Sequence, residues 1–273
     1  RERFLPKMAT GEWIGAFGPT EPGAGSNPAD MITTARREGD GYRLRGSKCF
    51  ISNAGAADFI VVFAKTDPEA GARGVSAFVV EPNTTAGIDI APAERTMGLR
   101  GGHVFGINLD CHVPEENRIG ADGSGFRTAM KVLDNGRIEV AAQATGIAAA
   151  ALDLAVAYAK ERRVGGHPIA DFQGLQWMLA DSANDLAAAR ALGYAAARLR
   201  GTGARYSTES AHAKLFASEA AWRIADRALQ IHGGYGYCRD YPLERYLRDL
   251  RIFRIYEGSS EIQRTILARG LLG

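Results

Sequence analysis

The feature of this sequence that most restricts its possible folds is a change of periodicity near residue 123. The first part contains short apolar runs of strand length, such as Phe59–Phe63 and Val75–Val80, separated by turn signals rich in Gly and Pro. Met31–Ala35 also has the composition of a strand. Such a series is typical of an antiparallel barrel or sandwich. We therefore expect a β domain over residues 1–122.

The second part reads as helix. Segments rich in Ala and Leu cover roughly residues 141–163, 172–200, 207–232 and 259–271, with glycine clusters between them or at their ends. We expect a helical domain over residues 123–273, and hence an α+β chain with separated domains. The Ala-rich faces suit close helix packing, and the sequence leaves open whether they form a bundle core or an oligomer interface.

Charge and cysteine content exclude several functional classes. The 33 basic and 31 acidic residues give a net charge of +2 with no long basic block, which does not favour a nucleic-acid partner. Three scattered cysteines form neither a disulfide framework nor a CxxC pair, so we expect a reducing compartment and no metal site. We predict no membrane span and see no signal peptide. The first residue is Arg1, so the chain is compatible with a fragment or a processed product.

Three segments carry the functional signal: Thr20–Asn27, Gln230–Tyr237 and Ile255–Arg264. Glycines in the first let the backbone approach a ligand, and its hydroxyls can hydrogen-bond to one. The glycine cluster of the second can admit a phosphate at a helix end. Taken singly, they are equally well explained as a turn, a helix terminus and a solvated turn around Glu257.

Together, in order and spacing, these segments resemble the acyl-CoA dehydrogenase family. The second fits the family pattern Gln-x-x-Gly-Gly-x-Gly-Tyr, and Asp240, Arg245 and Asp249 fill its later acidic, basic and acidic positions. The third fits Tyr-Glu-Gly-Ser/Thr-x-x-Ile-Gln-Arg. The resemblance extends over essentially the whole chain. It implies the family's middle β domain followed by its C-terminal four-helix bundle, with the N-terminal helical domain absent from this chain.

The resemblance also implies FAD, held without the GxGxxG fingerprint, which this sequence lacks. The matched positions for the flavin and its phosphates are Thr20, Ser26, Phe50 and Ser52. Those for the FAD of a neighbouring subunit are Arg162 and Gln173, with Gln230, Gly233 and Gly234 on the adenosine side. Ser259 and Glu261 match further FAD contacts. The substrate-side positions are Ser26, Asp134, Arg137, Tyr235 and Gly258.

The family chemistry assigns Glu257 as the catalytic base. It would take the α proton of an acyl-CoA thioester while the β hydrogen leaves as hydride to the flavin, giving a trans-2-enoyl-CoA. Desolvation should raise the pKa of this carboxylate. Some members carry the base on an earlier helix, just before the residue that matches Arg137. That position is Gly136 here, so Glu257 is the only base that the family pattern offers.

Four positions depart from the family pattern: Asn27 replaces Asp, Phe50 replaces a frequent Trp, Gly165 replaces a frequent aromatic residue, and Ser259 replaces Thr. The segments Asp134–Ile138 and His232–Tyr237 look most like short-chain and short branched-chain members, including isobutyryl-CoA dehydrogenases. We therefore expect a short or short branched acyl group. Tyr235 either narrows the acyl pocket or packs at a helix end.

The resemblance further implies a homotetramer, a dimer of dimers, that passes electrons to an electron-transfer flavoprotein. The location would be cytoplasmic in a bacterium and the mitochondrial matrix in a eukaryote. Two alternatives stay open: an acyl-CoA oxidase, in which oxygen reoxidises the flavin, and a non-catalytic fragment or assembly partner. A flavin monooxygenase of the same fold is disfavoured, because its chemistry does not require Glu257.

Overall fold

The computed structural model describes residues 2–273, which form two compact units that divide between Lys131 and Val132. The first unit contains one short helix, α1 (Leu5–Ala9), and eight strands. The strands are β1 (Gly15–Gly18), β2 (Thr34–Glu38), β3 (Gly41–Ser52), β4 (Phe59–Lys65), β5 (Val75–Val80), β6 (Ile88–Ile90), β7 (Val104–Pro114) and β8 (Arg118–Ile119).

These strands form one sheet in the order β6-β7-β3-β2-β4-β5-β8, with β1 paired to β4. Most neighbours are antiparallel, and the parallel pairs are β1–β4 and β2–β4. On β4, Ile60, Val62 and Ala64 enter one buried cluster, whereas Phe63 enters a second one against which Val61 packs. Because side chains alternate across a strand, both faces of β4 are covered. This explains why the apolar run here is continuous rather than alternating.

The strand expected at Met31–Ala35 begins later, at Thr34. The reason is a side chain that replaces a sheet partner: the carboxylate of Glu21 accepts hydrogen bonds from the backbone N–H groups of Ile32, at 2.7 Å, and Thr33, at 3.1 Å. These two N–H groups are therefore satisfied by a side chain and not by a strand, although the Thr33 carbonyl still accepts a hydrogen bond from the N–H of Lys65 at 2.8 Å. Strand β1 was not predicted, because four residues beginning and ending in glycine give no alternation signal.

The second unit is helical. Helix α2 (Gly125–Glu161) spans the boundary, and a two-stranded hairpin, β9 (Arg163–Val164) and β10 (His167–Pro168), follows it. The remaining helices are α3 (Gln173–Gly201), α4 (Ser207–His232), α5 (Gly234–Tyr237), α6 (Leu243–Leu250) and α7 (Ser260–Leu272). A β domain followed by a helical domain is thus confirmed. Helix α6 was not predicted, because it is only two turns long and strongly charged.

The alanines of α2 and α4 form a helical core. In α2 the buried residues recur every three or four positions, at Ala141, Ala144, Ala148, Ala151, Ala155 and Ala159. This is the apolar stripe of a helix that packs on neighbours. By length and composition α2 also meets the criteria for a membrane-crossing helix, which core helices often do. Helix α3 packs on α4, but its side chains Trp177 and Tyr194 are exposed to solvent in the single chain.

Candidate active site

Glu257 lies in a turn of unusual backbone conformation, between the 3-10 turn Arg251–Arg254 and helix α7. Its φ of +53° lies in the left-handed region, and Gly258 follows with a φ of +86°. For a residue with a Cβ that conformation costs free energy, and it persists only where the surroundings impose it.

Three side chains from different helices impose it by binding the two carbonyls of the turn. Arg137 of α2 donates from Nε to the Glu257 oxygen at 3.2 Å. Gln263 of α7 donates to the oxygens of both Glu257 and Gly258, at 3.3 and 2.8 Å. Lys214 of α4 donates from Nζ to the Gly258 oxygen at 2.7 Å. All three donors are buried, so the main chain that carries Glu257 is held from three sides.

The Glu257 carboxylate occupies space that exists because residue 136 is glycine. A Cβ on Gly136 would lie 2.7 Å from Oε2 of Glu257 and 3.2 Å from its Cδ. The first distance is well inside contact, so any side chain at residue 136 would have to displace the carboxylate. With glycine at residue 136, this space stays free for the Glu257 carboxylate.

Burial decides the proton affinity of Glu257. Desolvation raises the pKa of its carboxyl group, and the nearby cations of Arg137 and Lys214 oppose this shift without cancelling it. Burial also raises the pKa of the preceding Tyr256, which keeps that phenol neutral. A half-buried carboxylate with a raised pKa is a stronger base than an exposed one, and so it is suited to take a proton from a weak carbon acid.

Asp134 makes an ion pair within the protein. Its Oδ1 accepts a 2.6 Å hydrogen bond from Nη1 of Arg137, and its Oδ2 accepts one from the Ser207 hydroxyl at 2.5 Å. Arg137 is only 5% exposed. The two residues expected on the substrate side therefore form a rigid pair, and the pair supports the turn of Glu257.

The residues after Glu257 are arranged differently from a simple capped helix. Ser259 is the N-cap residue of α7, but its hydroxyl makes no capping hydrogen bond. Ser260, the first helical residue, donates instead to Glu219 at 2.7 Å. The Ser259 hydroxyl bonds to Glu261 and lowers the pKa of that exposed carboxyl. Ser259 and Glu261 thus lie within one turn of Glu257.

A second group of expected residues lines a cavity of about 530 Å³ at the end of α4. Gly233, with φ of +59°, ends that helix, and α5 starts at the next residue. The residues expected from the sequence that line this cavity are Arg162, Gln230, Gly233, Gly234 and Tyr235. The guanidinium of Arg162 lies over the ring of Tyr235, 5.9 Å from its centroid. Gln173 is exposed at the start of α3 and is not among the lining residues.

In the first unit, Phe50 is an exposed aromatic residue in a strained position. Strand β3 bulges between Lys48 and Ile51, where two residues of β3, Cys49 and Phe50, face one residue of β7. The bulge gives Phe50 a φ of +57° and leaves its side chain 66% exposed. Bulges re-aim side chains next to functional sites. Ser52, at the end of the same strand, is also exposed.

The loop Thr20–Asn27 is fixed against this part of β3. The N–H of Cys49 donates to the carbonyl of Thr20 at 3.0 Å. A buried ion pair joins Lys48 and Glu21 at 2.8 Å, with 0% and 2% of the side chains exposed. The structure therefore brings the segments of Thr20 and Phe50 together, with Ser26 exposed on the loop.

Each of the two units contains features that suit one part of a flavin dinucleotide. The first unit offers an exposed aromatic ring beside a hydroxyl-bearing loop, which suits a planar ring system. The second offers a cavity with a guanidinium, an amide and two glycines, which suits a phosphate-linked nucleotide. Within residues 2–273 no group of three or more His, Cys, Asp or Glu residues is arranged to hold a metal ion.

Sequence reasoning missed two residues of the Glu257 site, Lys214 and Gln263. A signal for the first was present, because Lys214 lies in line with Ser210, Ala217 and Ala221 at helical spacing on α4. All four are buried. A lysine in a stripe of small residues has to be paired, since an unpaired buried charge is costly. Gln263 gave no signal apart from its place in the motif.

Comparisons with known proteins give the family to which both parts of the chain are similar. Residues 16–110 match the family model for the acyl-CoA dehydrogenase middle domain, and residues 123–272 match the C-terminal domain of the same family. An acyl-CoA dehydrogenase of Bacillus subtilis is 48% identical over 99% of this chain and 72% of its own length. The CarC subunit of a caffeyl-CoA reductase–Etf complex from Acetobacterium woodii is 46% identical, over 99% and 72%.

A solved structure is similar along the whole chain as well. Butyryl-CoA dehydrogenase from Megasphaera elsdenii superposes with a TM-score of 0.97 and 43% identity, over 100% of this chain and 71% of that one.

Proposed function

Because this chain belongs to the acyl-CoA dehydrogenase family and is an oxidoreductase of that kind, we propose that Glu257 is the base that starts α,β-dehydrogenation of a short-chain acyl-CoA. The observation that carries the proposal is the Glu257 turn itself. A half-buried carboxylate stands over a glycine and is held by three buried donors, and its pKa is raised by burial.

The turn also supplies a hydrogen-bond donor for the substrate. The carbonyls of Glu257 and Gly258 are both bound by side chains, whereas the backbone N–H of Glu257 makes no hydrogen bond to any residue from 2 to 273. Directed at the thioester oxygen, this N–H would stabilise the negative charge that develops as the α proton leaves. Proton removal and charge stabilisation would then come from one residue.

When bound, FAD supplies the acceptor for the β hydrogen, since no protein side chain accepts a hydride. We assign Thr20, Ser26, Phe50 and Ser52 to its ring and phosphates. We assign the cavity lined by Arg162, Gln230, Gly233 and Gly234, together with Gln173 at the start of α3, to the nucleotide end of a neighbouring subunit's FAD. Ser259 and Glu261 complete this set. The fit of the exposed Phe50 ring and of the 530 Å³ cavity supports the assignment.

The finer parts of the function are proposals too. A short acyl group, straight or branched as in isobutyryl-CoA, agrees with the likeness to butyryl-CoA dehydrogenase. An electron-transfer flavoprotein as partner agrees with the relative that works in an Etf complex. Exposed Trp177 and Tyr194 on α3 are suitable for subunit contacts in a tetramer. Three free cysteines suit a reducing compartment, bacterial cytoplasm or mitochondrial matrix.

The proposal is tested by anaerobic titration of the purified yellow protein with acyl-CoA substrates. Butyryl-CoA or isobutyryl-CoA should bleach the flavin absorbance within a turnover. Octanoyl-CoA should bleach it more slowly. A protein that purifies without flavin, or that no short acyl-CoA bleaches, would refute the proposal, and fastest bleaching by octanoyl-CoA would refute its substrate class. Hydrogen peroxide formation without another acceptor would indicate an oxidase instead.

The relative named as a caffeyl-CoA reductase supports a second candidate, reduction of an enoyl-CoA by the same site. Glu257 would then return a proton to the α carbon, because a base in one direction is an acid in the other. Initial rates distinguish the two directions. The protein reduced with dithionite is mixed with crotonyl-CoA, and the oxidised protein with butyryl-CoA. A faster first reaction favours the reductase.

A further inference from the structure

Lys214 is a buried charge beside the active turn. It lies on α4, its side chain is fully buried, and its Nζ donates to the Gly258 oxygen at 2.7 Å. Its neighbours in the helix stripe are small and apolar or bear only a hydroxyl group. A buried lysine without a counter-ion is strongly disfavoured, so the charges around Lys214 decide what it does.

The other cations near Glu257 already have carboxylate partners. Arg137 pairs with Asp134 at 2.6 Å, and Arg254 pairs with Glu219 at 2.9 Å. Within residues 2–273, Lys214 has no carboxylate at ion-pair distance, and the acidic groups that act on it are Glu257, Glu219 and Glu261. Glu139 also acts on Glu257 and raises the pKa of its carboxyl group. Lys214 and Glu257 act on each other: Lys214 favours the ionised form of Glu257, and Glu257 favours the charged form of Lys214.

We propose that Lys214 is a positioning residue for the dehydrogenation: its ammonium group holds the Gly258 carbonyl, and its charge is, beside that of Arg137, a counter-charge to the Glu257 carboxylate. This inference rests on the proposed function of Glu257. It adds a second, separable role for one side chain. The hydrogen bond fixes the left-handed turn, and the charge lowers the pH at which the Glu257 carboxyl group ionises.

The charges that face Lys214 come from three helices and the turn. They are Arg137 from α2, Glu219 from its own helix, Glu261 from α7 and Glu257 from the turn. Burial lowers the pKa of Lys214 to about 8, and Arg137 adds to the shift, whereas the three carboxylates oppose it. Below that pH the ammonium is present, which is where Glu257 most needs a counter-ion to stay ionised.

Two substitutions separate the roles in the FAD-loaded protein. Lys214→Met removes both the hydrogen bond and the charge at similar volume, whereas Lys214→Gln keeps an amide donor for the Gly258 oxygen and removes only the charge. Ser218→Ala is the matched control, because Ser218 is buried one turn further along α4 and bonds only to Leu215 of its own helix.

The rate of flavin bleaching by butyryl-CoA is then measured against pH. In both Lys214 variants the pH at which the rate falls on the acid side should rise by about one unit. At pH values below both midpoints, this shift corresponds to a tenfold loss of rate relative to wild type. Above both midpoints, Lys214→Gln should approach the wild-type rate and Lys214→Met should stay slower. The proposal is overturned if both Lys214 variants keep the wild-type pH profile. It is also overturned if, at every pH, the Lys214 variants lose no more rate than Ser218→Ala does.

Thermal unfolding gives a test that needs no substrate. Lys214→Met is compared with wild type, and again in a Glu257→Gln background, where the counter-ion is already gone. We expect the loss of melting temperature to be clearly smaller in the second comparison, because the two charges are coupled. Equal losses overturn the proposal. So does a Lys214→Met protein that fails to fold and is not rescued by adding Glu257→Gln.

The unfolding test distinguishes failure of the proposed function of Glu257 from failure of the proposed role of Lys214. If no acyl-CoA bleaches the wild-type flavin, the proposed function fails, yet the coupling between Lys214 and Glu257 can still be measured. If bleaching is normal and the coupling is zero, only the role of Lys214 fails.

Discussion

Gly136 lies under the carboxylate that we propose as the base, and its replacement by alanine should lower activity without lowering stability. Gly136 lies within α2, where alanine is favoured over glycine by about 0.5–1 kcal/mol. Its added Cβ would stand 2.7 Å from Oε2 of Glu257. That atom is the end of a flexible side chain, so the carboxylate should move rather than the helix.

The size of the effect follows from the distance. Moving Oε2 from 2.7 Å to the ordinary contact distance of 3.4 Å displaces it by about 0.7 Å. Misplacing a reacting group by about 1 Å can cost 10²-fold in rate. Gly136→Ala should therefore slow flavin bleaching by butyryl-CoA by roughly 10- to 100-fold, while the free energy of unfolding stays equal or rises.

The assay is stopped-flow reduction of the flavin, with the melting temperature measured on the same samples. Gly146→Ala is the matched control, since Gly146 lies on the same helix and its added Cβ would meet nothing within 4 Å. It should stabilise the protein similarly and keep the wild-type rate. If Gly136→Ala also keeps that rate, the carboxylate does not depend on the space above Gly136, and the reasoning is refuted.

Three further predictions follow from other parts of the two sites. Phe50→Gly should relieve the left-handed strain and raise the stability of the flavin-free protein by about 1 kcal/mol, yet release FAD more readily on dilution. Asp134→Ala leaves Arg137 buried without its carboxylate and should cost about 3–5 kcal/mol in urea unfolding. Because burial raises the pKa of Glu257 and only the ionised form accepts a proton, the bleaching rate should fall with decreasing pH at a midpoint above 4.5. The same shift means that ionising Glu257 costs stability as pH rises through its pKa.

The fold was predictable where pattern and packing agree. The continuous apolar runs of β4 and β5 correspond to strands covered on both faces, and the Ala-rich segments correspond to α2, α3 and α4. The late start of β2 was not predictable, because it depends on the carboxylate of Glu21, a residue distant in sequence. Local propensity contains no information about such a partner.

The site was predictable only as far as its motif reaches. The motif located Glu257, but the donors that hold its turn, Lys214 and Arg137, come from helices 43 and 120 residues away in the chain. The empty position at Gly136 was visible in the sequence. Its direct contact with Glu257 was not, because that contact arises from the packing of distant segments.

The most direct test of the central claim is single-turnover reduction of the flavin in Glu257→Gln. The amide keeps the shape of the side chain but cannot accept the α proton. The variant should purify yellow, bind butyryl-CoA, and bleach about 10²- to 10⁴-fold more slowly than wild type at the same pH. Bleaching at the wild-type rate would contradict the assignment of Glu257 as the base, and with it the proposed mechanism.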